Sequence, residues 1–326
     1  MVLTRPDPVL EIKSLNVHFE SKKYGSLHAI RDLDLTLKPG EVLGLVGESG
    51  SGKSVTCLAA MRLLPPLARV RGKVLFQGRD ILTMTRAELD RIRGGQVAMI
   101  SQDPIGSLNP VQSVGRQIKE SLLLHRALTG RRAALEAAEL LKKVGIPAPE
   151  QRLKEYPHQL SGGMCQRVMI AMALAGQPSV LLADEPTTAL DVTIQAQILD
   201  LLRSLIRDTG ASILLITHDL GVVAENCDRM AVLYGGRIVE SGPVELIFKR
   251  ARHPYTRGLL ASLPSLDRVE SRLTPIQGTV PPLQDLPQGC AFSTRCHLAR
   301  DSCRRVRPDL CPGPETGHLL ACDLAA

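Results

Sequence analysis

The segment Gly47-Glu48-Ser49-Gly50-Ser51-Gly52-Lys53-Ser54 constrains this chain more than any other. It matches the phosphate-binding loop pattern in full. The short apolar run Glu41 to Val46 precedes it and an apolar helical stretch, Lys53 to Leu64, follows, so the local order is strand, loop, helix. Gly47, Gly50 and Gly52, with Ser49 and Ser51 between them, let the backbone wrap closely and turn its N–H groups toward phosphate oxygens at a helix N-terminus. Lys53 is placed to reach the β- and γ-phosphates of a nucleotide, and the Ser54 hydroxyl to bind Mg²⁺. An ordinary glycine-rich turn is the plain alternative, and the strand–loop–helix order argues against it.

Around that loop the text alternates strand and helix. Residues 9 to 19 and 28 to 37 alternate apolar and polar, and Gln96 to Ile100 is a short strand. Residues 111 to 145 are helical, closing at Gly145, Pro147 and Pro149, and a further helix begins near Ser161. Val180 to Ala183 and Ser212 to Thr217 read as buried parallel strands. Between them Ile194, Ile198, Leu202 and Ile206 form one apolar helix face. This predicts an α/β domain with a mainly parallel sheet. No internal repeat is visible, so a single nucleotide-binding unit is expected. From about residue 251 to 326 prolines replace periodicity, which reads as a C-terminal extension.

Aromatic residues are only 2% of the chain and Trp is absent, which disfavours a stacking platform for single-stranded nucleic acid. A formal charge of +7 is mild for 326 residues. The longest apolar run, Val168 to Gly176, is half of what a bilayer requires and reads as a buried helix. Pro6, Asp7 and Pro8 stand where a signal peptide would be apolar. A soluble, cytoplasmic chain without nucleic-acid partners is expected. Cys290, Cys296, Cys303, Cys311 and Cys322 crowd the end of the chain, and in a reducing compartment such a cluster points to metal before disulfides.

Asp184 ends one buried strand, where its carboxylate can hold Mg²⁺ through water; Glu185 follows, placed as general base for the attacking water. Leu160-Ser161-Gly162-Gly163-Met164, then Gln166-Arg167, resembles the signature motif of ATP-binding-cassette (ABC) ATPases, with Cys165 replacing a long polar residue. The resemblance covers residues 9 to about 250. It implies a P-loop NTPase core with an antiparallel β subdomain and a helical subdomain at about 103–160. It further implies that Ser161, Gly162 and Gly163 serve the γ-phosphate of ATP bound by an opposite cassette. Gln102 resembles the glutamine that touches Mg²⁺ and water, Asp191 the D-loop aspartate, and His218 the switch histidine on the γ-phosphate. Tyr24, 23 residues before Gly47, stands where the family stacks a ring on adenine.

Within the superfamily, Ser101-Gln102-Asp103-Pro104, His253-Pro254-Tyr255-Thr256 and the cysteine tail resemble the dipeptide/oligopeptide/nickel importers. That resemblance implies ATP-driven peptide uptake, with nickel or another small solute as the alternative and a soluble non-transport ABC ATPase as a more distant one. The implied partners are a second ABC ATPase subunit forming a heterodimer, two transmembrane permease subunits and an extracytoplasmic solute-binding protein. The implied place is the cytoplasmic face of the inner membrane, peripherally bound. It also implies a 4Fe-4S cluster on Cys290, Cys296, Cys303 and Cys322, with Cys311 as an alternative ligand. By spacing, no C-x₂₋₄-C knuckle is present in the tail, which disfavours zinc and does not by itself establish iron and sulfur.

Overall fold

The computed structural model describes residues 7–187, 192–263 and 276–324. They divide into two compact units. The first comprises residues 7–10, Leu37–Glu41 and Thr83–Leu215; the second comprises Glu11–Thr36, Val42–Leu82 and the chain from Ile216 on.

In the first unit the strands Val97–Ile100 and Val180–Asp184 pair in parallel, Val97 opposite Val180 and Ile100 opposite Ala183. Every residue of Val180–Asp184 is buried, which explains its unbroken apolar text. The helix Gly162–Ala175 holds the apolar run expected to be buried, with Val168, Ile170, Ala171 and Ala175 fully enclosed. The helical stretch from 111 to 145 is two helices, Val114–Arg126 and Gly130–Lys143. Ala127 takes the left-handed conformation (φ 51°) and ends the first, and Gly145 (φ 71°) follows the second. Leucine spacing alone runs through that break, because a left-handed alanine carries no compositional signal. The helix Val192–Thr209 buries Ile198 and Leu202 as its periodicity predicts.

In the second unit Val42–Val46 pairs in parallel with Arg229–Tyr234, and Arg237–Pro243 returns antiparallel to that strand. Leu319–Leu320 adds to Arg237–Pro243 and Cys311–Pro312 adds to Leu319–Leu320, both antiparallel. A separate sheet is ordered Gly25–Leu37, Leu10–Ser21, Ala68–Phe76, Arg79–Asp80, its last pair antiparallel. Parallel and antiparallel ladders are therefore mixed, where the text alone implied a mainly parallel sheet and the family resemblance an added antiparallel β subdomain.

Residues near the end of the chain share the core of this unit. Val46, Val232, Tyr234, Val239, Ile247, Tyr255 and Phe292 form one apolar cluster. The rings of Tyr234, Tyr255 and Phe292 meet at 4.6–5.3 Å between centroids, two of the pairs edge-on. A buried polar hub lies alongside. The fully enclosed Glu240 carboxylate accepts the N–H groups of Arg252 (2.8 Å) and His253 (3.1 Å) and sits 2.8 Å from His318 Nε2. His253 in turn caps the helix Pro254–Ala261, its Nδ1 accepting the Tyr255 N–H.

Burial holds the His253 imidazole down at about 4. The unfolded chain takes up this proton near pH 6.5 and the folded chain only near pH 4, so stability falls as pH drops through that window. Between pH 7 and pH 5 the loss expected from this one group is about 2 kcal/mol. Urea denaturation at pH 7 and pH 5 checks it: His253→Asn, which keeps a capping acceptor, is expected to lose clearly less stability on acidification than wild type.

Candidate nucleotide site

The phosphate loop leaves the buried strand Val42–Val46 and enters the helix Lys53–Ala60. Gly47 tolerates no side chain, since a Cβ there would collide with the Leu233 carbonyl oxygen and the Ser51 hydroxyl. Gly52 sits at φ 107°, which an L side chain resists. Lys53 is buried and curls back over the loop, its Nζ donating to the carbonyls of Gly47 (2.8 Å) and Glu48 (3.0 Å). The Gly236 N–H donates to the Ser51 carbonyl at 3.0 Å, tying the loop to the hairpin turn behind it. The Ser51 hydroxyl is buried without a hydrogen-bond partner among the described residues, an orphaned polar atom inside an anion cradle.

In the first unit the strand Val180–Asp184 delivers Asp184, buried, and then Glu185, half-buried, as sequence reading placed them. Glu185 has φ 47°, a left-handed conformation uncommon outside glycine that is held by its surroundings. Gln102 Nε2 donates to Glu185 Oε2 at 3.2 Å, so two residues proposed for the same water stand together. Behind them Gln166, 2% exposed, donates to the Pro186 carbonyl at 2.6 Å and fixes the signature helix to the turn that carries the acid pair.

Ser161 caps the helix Gly162–Ala175, its hydroxyl accepting the Met164 N–H at 3.3 Å. Ser161 and Gly162 are exposed, and a Cβ on Gly162 would meet nothing within 4 Å. His218 is exposed just after Thr217, and the next residue, Asp219, caps the helix Leu220–Asn226. Tyr24 is 48% exposed, with the Lys23 ammonium 4.9 Å above its ring. Asp191 lies outside the described residues.

Sequence reasoning missed the residues that brace the loop. Glu48 donates its N–H to the Tyr255 hydroxyl at 2.9 Å, and Arg295 grips its carboxylate through both terminal nitrogens. Burial pushes the Tyr255 phenol up, so it remains a hydroxyl. These partners lie 207 and 247 residues from Glu48 in the chain, and no local pattern joins them.

A protein-family profile described as "ABC transporter" matches residues 30–188, and one described as "Oligopeptide/dipeptide transporter, C-terminal region" matches 239–303. The oligopeptide transport ATP-binding protein OppD of Bacillus subtilis is 52% identical over 301 residues, spanning 91% of this chain and 84% of OppD. The dipeptide transport ATP-binding protein DppD of the same organism is 49% identical over 304 residues, spanning 93% and 90%. This chain belongs to the ABC transporter ATP-binding proteins. It is similar in fold to a solved dimeric bacterial ABC transporter cassette, MJ0796 (TM-score 0.65, 28% identity, 72% of this chain and 98% of the other). As an ABC ATPase, it hydrolyses ATP.

The iron–sulfur reading of this ABC ATPase is corrected by the structure. Among the described residues no group of three or more His, Cys, Asp or Glu side chains is disposed to hold a metal ion. Cys290 and Cys296 pack instead as small apolar groups against the cluster around Phe292. Burial raises both thiols, Cys290 to about 11, and the nearby Cys322, Cys296 and Cys303 add to the shift at Cys290. Cys303 Sγ accepts the Arg300 N–H at 3.5 Å, and Cys311 is exposed on the edge strand opposite Leu320. The described tail residues therefore give the cluster no support.

Steric room separates two glycines of this ABC ATPase. Gly47→Ala is expected to cost about 1–3 kcal/mol of stability through overpacking, while Gly162→Ala stays within about 0.5 kcal/mol of wild type. Chemical denaturation of the purified full chain measures both.

Proposed function

We propose that this chain is the ATP-hydrolysing subunit of a peptide importer. The carrying observation is the near-full-length match to the oligopeptide and dipeptide transport proteins, which extends through the C-terminal region as well as the cassette. Both relatives are named for peptides, which favours peptide over nickel or another small solute. Residues 9–250 would serve as the nucleotide-binding domain, with a helical subdomain at about 103–160, and residues 251–326 as its extension.

An importer subunit of this kind works with two transmembrane permease subunits, an extracytoplasmic solute-binding protein and a second ABC ATPase subunit. It would sit peripherally on the cytoplasmic face of the membrane. Among the described residues no helix is long and apolar enough to cross a membrane, in keeping with permeases that supply the passage. The open space at Gly162 and the exposed Ser161 cap suit a partner's nucleotide, since none of the described residues occupies that position.

Within the site, Gly47, Ser49, Gly50, Ser51, Gly52 and Lys53 would bind the phosphates of ATP and Tyr24 its base. Glu185 would polarise the attacking water, with Gln102 orienting its carboxylate and His218 contacting the γ-phosphate. Ser54, Gln102 and Asp184 offer oxygen donors of the kind Mg²⁺ takes, a cation that is usually held with phosphates and not in an all-protein cage. When bound it neutralises phosphate charge.

Glu185→Gln is expected to leave ATP binding near wild type and to slow hydrolysis by roughly 10²–10⁴-fold. Lys53→Ala is expected to weaken binding itself. Steady-state ATPase and equilibrium ATP binding in the assembled transporter separate the two, and wild-type turnover by Glu185→Gln would remove Glu185 from this role.

A further inference from the structure

The C-terminal extension touches the phosphate loop at Glu48, and every hydrogen-bonding group of that residue is engaged. Its N–H goes to Tyr255, its carbonyl accepts Lys53 Nζ (3.0 Å) and the Ser51 N–H (3.2 Å), and its carboxylate takes Arg295 at 2.5 and 3.1 Å. The Arg295 side chain is only 4% exposed, against 29% for Glu48. Its other donor positions reach the carbonyls of Gln277 (3.0 Å) and Gly278 (3.1 Å), and its guanidinium lies 5.9 Å from the ring centres of both Tyr234 and Phe292.

A guanidinium enclosed in this way is a fixed fork, unlike the mobile ion pairs of a protein surface. Two consequences bear on phosphate binding. The fork fixes the second residue of the loop, and with it the carbonyl on which Lys53 rests. It also neutralises a carboxylate belonging to a loop whose ligand is strongly anionic. An unpaired Glu48 would oppose the phosphates directly.

We propose that Arg295 is a positioning residue for the phosphate loop, so that the C-terminal extension sets this subunit's affinity for ATP. The proposal rests on reading Gly47–Ser54 as the phosphate loop. It gives the extension a task in the nucleotide cycle that needs no metal.

The test is ATP titration of the purified full chain by calorimetry, with melting temperature recorded in parallel. Arg295→Gln is expected to weaken ATP binding on the order of tenfold, in line with orphaning one partner of a bonded charge pair. Arg295→Lys is expected to fall between, because an ammonium neutralises Glu48 without reproducing the fork. The double variant Glu48→Gln with Arg295→Gln is expected to recover most of the affinity, since no unpaired carboxylate then faces the phosphates. In the assembled transporter KM for ATP is expected to rise with kcat changed far less. Wild-type ATP affinity in Arg295→Gln, with only the melting temperature lowered, would overturn the proposal and leave the pair a structural brace. If Arg295→Gln does not fold, Arg295→Lys decides: weakened binding supports the proposal and wild-type affinity overturns it. A Lys53→Ala control separates the premises, because unchanged ATP binding there removes the phosphate-loop reading itself.

Discussion

A loop that binds phosphate through its backbone must leave N–H groups uncommitted, and so cannot hold its own shape with them. Its rigidity has to come from groups that face away from the ligand. Here the strand Val42–Val46 fixes the entry and the helix Lys53–Ala60 the exit, while the Gly236 N–H holds Ser51 from behind. Tyr255 and Arg295 then take the N–H and the carboxylate of Glu48. The close approach of Gly47 to the Leu233 carbonyl follows from the same need, since the loop must lie flat against the strand that backs it.

This requirement gives the scarce aromatic residues their place. With 2% aromatics and no Trp, the chain has few groups able both to fill a core and to carry a polar tip. Tyr234, Tyr255 and Phe292 are gathered into one cluster, and the two tyrosines turn their hydroxyls toward Arg295 and Glu48. The extension thereby gains a core that its own proline-rich text does not supply. Cys290 and Cys296 fill space at the edge of that core. A tail read alone needs a cofactor to order it; a tail that contributes Phe292 to the cassette's own core does not.

What was legible in the sequence follows a physical line. Strands buried on both faces announce themselves locally, and Val180–Asp184 and Ser212–Thr217 were placed to within a residue. The phosphate loop and the acid pair were legible because their chemistry requires particular residues at fixed offsets. The return strands Arg229–Tyr234 and Arg237–Pro243 were passed over, although the Gly235-Gly236 pair between them is a hairpin signal. Arg295 was not legible, since its role exists only through a partner 247 residues away. The cysteine tail misled because crowding in sequence was taken for a metal site, while Cys290 and Cys296 pack against the aromatic cluster and Cys311 lies on an edge strand.

The acid pair and the signature helix show the same economy in the other unit. Glu185 is held in a left-handed conformation, which costs on the order of 1–3 kcal/mol and must be imposed by neighbours. Two amides contribute to that imposition from different elements. Gln102 bonds the carboxylate itself, and Gln166 bonds the carbonyl of the following Pro186. Because Gln166 lies on the helix that Ser161 caps, that helix and the turn carrying Glu185 are joined by a direct hydrogen bond. The helix is well packed along Val168 to Ala175, which fixes where Gln166 stands relative to that turn. Glu185 is thus joined on one side to Gln102 and on the other, by way of Pro186 and Gln166, to a helix whose first residues are exposed.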